Sequence, residues 1–233
     1  MRIQFIGLVA ALALGACASP YVATPYDRAS ARVSGIAIVD DSVPEKAIAY
    51  EVASVGSNFG LIGAIVDAGI QAERQDAVND ALRGVHFDAE TRLEERIVSR
   101  LVAQGYSVQP MPGLPRRRHD WLETYPTAPA ATDAYLDIAI VHYGYMSSGF
   151  GQPFRPAVGA KVKLVKVSDG STLMENQIVY NPLNEMQGII TIAPNPEFAF
   201  ENRSALLADP NRLAAGIEDA LNQVADTATQ LLR

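Results

Sequence analysis

The side chains of this 233-residue chain that could do chemistry are one thiol, three imidazoles, a strand carboxylate and a run of three arginines. Cys17 is the only cysteine and follows Leu14-Gly15-Ala16. A lone thiol excludes a disulfide within the chain and any cysteine-metal cluster. His86, His119 and His142 are nowhere at the i, i+4 spacing that turns two imidazoles toward one metal. His142 falls in a strand pattern on the face of Leu136, Ile138 and Ile140, which reads as a buried, satisfied histidine. Asp137 and Tyr143 fall on the opposite face and could form a polar pair, although a carboxylate on the wetter face is the simpler reading. Arg116, Arg117 and Arg118 could grip an anionic group such as a phosphate, or form a solvated charge run. No Gly-x-Ser-x-Gly elbow, phosphate loop, dinucleotide fingerprint or zinc-protease motif is present. The expectation is a protein without catalytic residues, metal or cofactor.

Cys17 closes an apolar run, Ile3 to Leu14, that follows Arg2. A basic start, an apolar middle too short to span a bilayer and small residues at the end make a secretory leader. The order Leu14-Gly15-Ala16-Cys17 resembles the lipobox of bacterial lipoproteins. The resemblance implies a diacylglyceryl group on the Cys17 sulfur, cleavage before Cys17 and acylation, such as palmitoylation, of the new amino terminus. One acyl chain holds marginally and several hold stably, since each buried methylene contributes about 0.8 kcal/mol. In Gram-negative lipoproteins an aspartate after the cysteine commonly favours the inner membrane, so Ala18 implies the outer membrane, facing the periplasm. The alternative, a plain leader cut after Ala18, discards the thiol. The chain thus divides into a leader, 1–16, a lipidated tether, 17–31, with Pro20 and Pro25, and one periplasmic domain, 32–233.

The 19 basic and 26 acidic residues leave a net charge of −7, one unit more negative once Arg2 is cleaved away. An acidic chain without a basic face is not expected to bind nucleic acid or to hold anionic lipid heads by charge. With 48% hydrophobic residues and no structural disulfide, the domain must rest on an apolar core, for which about 200 residues are ample.

Several elements can position these groups. Residues 32–39 alternate with both faces apolar, a buried strand. Residues 52–70 are apolar and glycine-rich; Gly56, Gly60 and Gly63 give small-residue spacing for close helix packing, and the run continues as helix to about Leu82. Asp88 caps the next helix, whose apolar stripe is Leu93, Ile97, Leu101 with Val98 and Val102, and Gly105 ends it. A short strand, 106–109, precedes a long surface loop with five prolines between 110 and 132. Strands follow at 134–145, 157–167 and 172–180, the last two joined by a hairpin turn, Ser168-Asp169-Gly170-Ser171. Phe150 and Phe154 lie in an aromatic connection suited to a partner, and Ile189 and Ile190 form an apolar patch that packs or binds. Asp209-Pro210 opens a C-terminal helix with a core stripe from Leu213 to Leu231.

The expected fold is α+β: a two-layer sandwich, a mixed sheet of four to five strands with helices on one face, a hairpin near Ser168–Ser171 and a C-terminal helix. This order, with Gly35-Ile36-Ala37-Ile38-Val39 at its start and Lys163 to Leu173 in its hairpin, resembles a group of envelope lipoproteins. They include the curli secretion channel subunit CsgG, penicillin-binding-protein activator lipoproteins and the amino-terminal domain of the Tol translocation protein. The resemblance implies a non-enzymatic domain that docks on other envelope proteins or assembles with copies of itself. The leading expectation is therefore an outer-membrane lipoprotein that binds an envelope partner in assembly, transport or maintenance. Its alternatives are a lipid or small-molecule carrier, an oligomeric secretion or channel component, and an unrecognised hydrolase using Asp137, His142 or the arginine run.

Overall fold

β-Branched and small residues in Gly35–Val39 (β1) leave no polar face, and all five residues are buried in the middle of a sheet. The computed structural model describes residues 21–40, 42–52, 72–112, 114, 116, 119–184 and 186–233. The leader, Cys17 and the Gly56, Gly60 and Gly63 spacing lie outside the described residues.

α1 (Arg28–Ala31) precedes β1, and after it come β2 (Ile48–Glu51), α2 (Ala72–Gly84), α3 (Ala89–Ala103) and β3 (Ser107–Met111). Next are β4 (Ala134–Ser147), β5 (Arg155–Lys166), β6 (Thr172–Tyr180) and β7 (Ile190–Ile192), then a 3-10 turn at Pro196–Phe198, α4 (Arg203–Ala208) and α5 (Pro210–Gln230). The chain is thus a mixed α/β structure with a 7-stranded mixed sheet and, among the described residues, five α-helices. The order is β3-β1-β4-β5-β6-β7, with β2 also on β4. β1 is parallel to β3 and β4, β6 is parallel to β7, and β4-β5-β6 is an antiparallel meander.

Strand number exceeds the four to five expected, and the reason is local. β2 and β7 have 4 and 3 residues, too few to carry an alternation, and exist because longer strands offer them an edge. β4 pairs with β1 over its first residues and with β2 over Gly144–Ser147. Gly144, at φ +136, admits β2, since any side chain there would run into the Ile48 backbone.

Expected caps are present. The Asp88 carboxylate accepts from Thr91 N at 3.1 Å, the Asp209 carboxylate accepts from Arg212 N at 3.0 Å, and Gly105 leaves α3 at φ +88. The hairpin is also as expected, although its loop is longer than a two-residue turn. Gly170 at φ +72 donates to Lys166 O at 3.0 Å, and the Asp169 side chain holds Ser171 N at 2.9 Å.

One face of the sheet carries Ile36, Ile38, Leu136, Ile138, Ile140, Val158, Val162, Leu164, Met174 and Ile178. These share a core with Val78 and Leu82 of α2, Leu93, Ile97 and Leu101 of α3, and Leu213, Ile217, Leu221 and Val224 of α5. Asp226 of α5 accepts from Arg96 and Arg100 of α3 at 2.6–2.7 Å and so clasps the two helices. On the other face Ala37, Val39, Tyr135 and Val165 pack with Met111 and Leu122, so the 112–133 segment is a cover and not a free loop.

The described part of the expected tether is held on the domain. Thr24 exchanges backbone hydrogen bonds with Glu175 of β6 at 2.9 and 3.0 Å. Tyr26 packs against the core, and Arg28 lies over the Tyr106 ring at 4.8 Å. Residues 21–31 are therefore part of the folded unit. Pro25 and the small residues around it resemble a linker, but the open edge of β6 supplies backbone partners that local sequence does not reveal.

Candidate functional site

Asp137 is fully buried, which corrects its expected place on a wet face. Its carboxylate accepts from Arg116 Nη1 at 2.5 Å, from Leu122 N at 2.9 Å and from the Tyr125 hydroxyl at 2.9 Å. The Arg116 side chain is only 4% exposed and also reaches the carbonyls of Asp40 and Asp120 at 3.4 Å. Burial, with the Asp137 charge next to it, holds the Tyr125 hydroxyl well above the usual phenol range. The Tyr125 ring stacks on Tyr135 at 4.8 Å, whose hydroxyl donates to Pro126 O at 2.7 Å. The Lys161 ammonium donates to Asp120 at 2.8 Å, and Lys163 sits 4.0 Å over the Trp121 ring. The contacts to Asp137, Tyr135, Lys161 and Lys163 tie the described residues of the 112–133 segment to the sheet. Arg116 is a clasp, not a partner-binding arginine, and Arg117 and Arg118 lie outside the described residues.

A second carboxyl, half-buried, sits at the start of α3. The Glu90 carboxylate accepts from Ser42 N at 3.0 Å and from Val43 N at 2.6 Å, so the first turn of α3 holds the chain between β1 and β2. Burial pushes the Glu90 carboxyl up to about 7, the two backbone bonds oppose this, and the neighbouring Asp40 carboxylate adds to it. Sequence reading passed over Glu90 because an acidic residue in a first helical turn is ordinary.

His142 is buried, as expected, but on the other face. The β4–β5 register shifts between Ile140 and His142, so Val141 is a bulge. Beyond it the faces exchange: Tyr143 and Tyr145 join the core under the helices, and His142 turns away from Leu136, Ile138 and Ile140. Nδ1 of His142 has no hydrogen-bond partner among the described residues, which corrects the expectation of a satisfied histidine. Burial lowers the imidazole to about 4, so it is neutral at pH 7. Asp137 and Tyr143 do not pair, since the bulge puts them on opposite faces. Arg116, Asp137 and His142 thus form no nucleophile-base arrangement, and among the described residues no group of three His, Cys, Asp or Glu side chains is placed to hold a metal.

The apolar candidates separate cleanly. Phe150 is 96% exposed at the tip of the β4–β5 connection, between Gly149 at φ +155 and Gly151 at φ +72. Phe154 is buried and its backbone bridges to Phe200. Ile190 belongs to β7 and is half-buried against the core; Ile189 beside it is also half-buried. On α3 the expected stripe is narrower than read. Leu93, Ile97 and Leu101 are core, while Val98 is half-buried and Val102 is 55% exposed. Thr91, Glu94, Glu95, Val98 and Ser99 line a shallow depression of about 440 Å³ on that outer face. Among the described residues no helix is long and apolar enough to cross a membrane.

Set against known proteins, the chain matches no family model, no curated relative and no solved structure. The resemblance to envelope lipoproteins therefore stands on the chain's own residues.

Proposed function

We propose that this chain is an outer-membrane lipoprotein whose periplasmic domain binds an envelope protein and performs no catalysis. The observation that carries the reading is the order Leu14-Gly15-Ala16-Cys17, a short apolar leader ending in the chain's only thiol. The domain is read as a two-layer α+β unit, with its helices gathered on one face of the sheet. Two further observations support a binding role. The chemistry-bearing side chains Arg116 and Asp137 are spent on internal structure. The outer face of α3 presents Val98 and Val102 four residues apart beside Glu94 and Glu95, which suits a partner segment with apolar and basic side chains.

Fractionation and mass spectrometry test the anchor. The native chain is expected in the outer-membrane fraction with acyl mass on Cys17, and Cys17→Ser in the soluble periplasm. A photocrosslinking residue at Val102, in living cells, tests the binding surface against one at Ser168. One dominant envelope-protein adduct from position 102 alone is the expected result. Self-adducts favour the oligomeric reading instead. The carrier reading has one observation in its favour, a groove of about 390 Å³ lined by Ala49, Phe150, Phe154 and Arg203, among others. No adduct at all, with lipid co-purifying, would transfer the assignment to it.

A further inference from the structure

Tyr21, four residues after Cys17, already belongs to the folded unit. Tyr21 is docked: its carbonyl lies against Gly188, which stands at φ +75 with no room for a side chain, and burial followed by the Glu175 charge raises its phenol to about 12. Thr24 then pairs with Glu175. Four residues reach at most about 14 Å even when fully extended. A domain of this size has a radius of gyration of about 16 Å. A tether shorter than the domain's own radius does not let the domain turn freely above the membrane.

The face near Tyr21 is distinctive. The N-terminal segment runs antiparallel to β6, so from Thr24 back to Tyr21 it heads toward Tyr180 at the end of that strand. Tyr180 pairs with Val158 near the start of β5, so the 148–154 and 181–189 connections leave from this same end of the sheet. The hairpin loop at 167–171 lies at the opposite end. The two most exposed large hydrophobic residues described, Phe150 at 96% and Val22 at 79%, are both on the Tyr180 side. Leu183 and Met186 lie on the 181–189 connection and line a depression of about 560 Å³ with Pro182 and Thr191.

We propose that this end of the sheet lies against the lipid bilayer, with Val22 and the Phe150 tip at headgroup depth. The inference rests on lipidation of Cys17. The anchor then fixes orientation as well as location. An exposed aromatic ring and an aliphatic side chain are side chains that the interface accepts, and a few such residues suffice when the lipid already holds the domain there. The outer face of α3, beside β1 and β3 at the other sheet edge, is left open to the periplasm.

Because lipid consumes the native thiol, an introduced cysteine is the only one free for labelling. Phe150→Cys, Val22→Cys and Ser168→Cys, each in the full lipidated chain and each at an exposed position, are labelled with an environment-sensitive fluorophore. They are reconstituted in phosphatidylethanolamine–phosphatidylglycerol vesicles that carry a headgroup spin label. Loss of most emission at positions 150 and 22, with none at 168, is the expected result. Equal quenching at all three positions, or none at any while mass spectrometry finds the acyl groups, overturns the orientation and leaves the anchor standing. Absence of acyl mass on Cys17 overturns both.

Discussion

Arg116 donates to Asp137 across 2.5 Å with both side chains out of solvent, and this ion pair fastens the 112–133 segment to the strand face that the helices leave open. The same carboxylate also accepts from Leu122 N and the Tyr125 hydroxyl, so three groups of that segment converge on one strand residue.

Removing one partner strands the other in a buried site. Arg116→Met or Asp137→Leu alone should cost about 3–5 kcal/mol, read as a fall in the urea midpoint at unchanged slope. The double replacement should recover much of that loss, because no buried charge is left. A catalytic role for either residue would instead appear as lost activity at unchanged stability.

Gly159 and His142 face each other across β4 and β5 just past the bulge. A methyl group at 159 would stand 2.6 Å from Cε1 and 2.9 Å from Nδ1 of the imidazole. Gly159→Ala should therefore destabilise the domain by about 1–3 kcal/mol through overpacking. Adding His142→Ala should make the alanine at 159 far less costly, and a double-mutant cycle in urea would read this as coupling.

Two buried titrations should shape stability against pH in opposite senses. Glu90 is raised in the fold from 4.5 to about 7, so its contribution is full below pH 4.5 and is lost as pH rises to 7. His142 is lowered from 6.5 to about 4, so its contribution is full above pH 6.5 and is lost as pH falls toward 4. Glu90→Gln imitates the protonated carboxyl and should remove about 1–2 kcal/mol of the decline between pH 5 and 8, after allowance for partial exposure. Urea midpoints at pH 5 and pH 8 for both proteins decide it; equal slopes in the two would contradict the burial of Glu90.

Gly144→Ala should detach β2 without unfolding the rest. The strand approaches β4 only because residue 144 has no side chain and a left-handed backbone. Hydrogen exchange at Ile48–Glu51 should accelerate strongly, while amides of β5 and α5 keep their protection.

Several expected features that rest on residues close in sequence are present in the fold. The Asp88 and Asp209 caps, the Asp169-Gly170 hairpin and the stripe of α5 each depend on residues within a few positions of one another, and local geometry decides them. The misplaced residues fail for the opposite reason. Val141 looks like any β-branched strand residue, and only its pairing with β5 makes it a bulge. That single extra residue reverses the faces of His142, Tyr143 and Tyr145. Val102 fits the apolar spacing of α3, but among the described residues nothing covers it and it is left exposed.

The amino-acid order alone decides the solitary thiol at Cys17, the acidic balance and the positions of most described helices and long strands, since these rest on composition and short-range periodicity. Tertiary structure alone decides that Asp137 is buried against Arg116, that β2 and β7 exist, and that the chain from Tyr21 onward is pinned to β6. Each of these depends on a backbone edge or a charge supplied from far along the chain, and nothing local announces which partner will arrive.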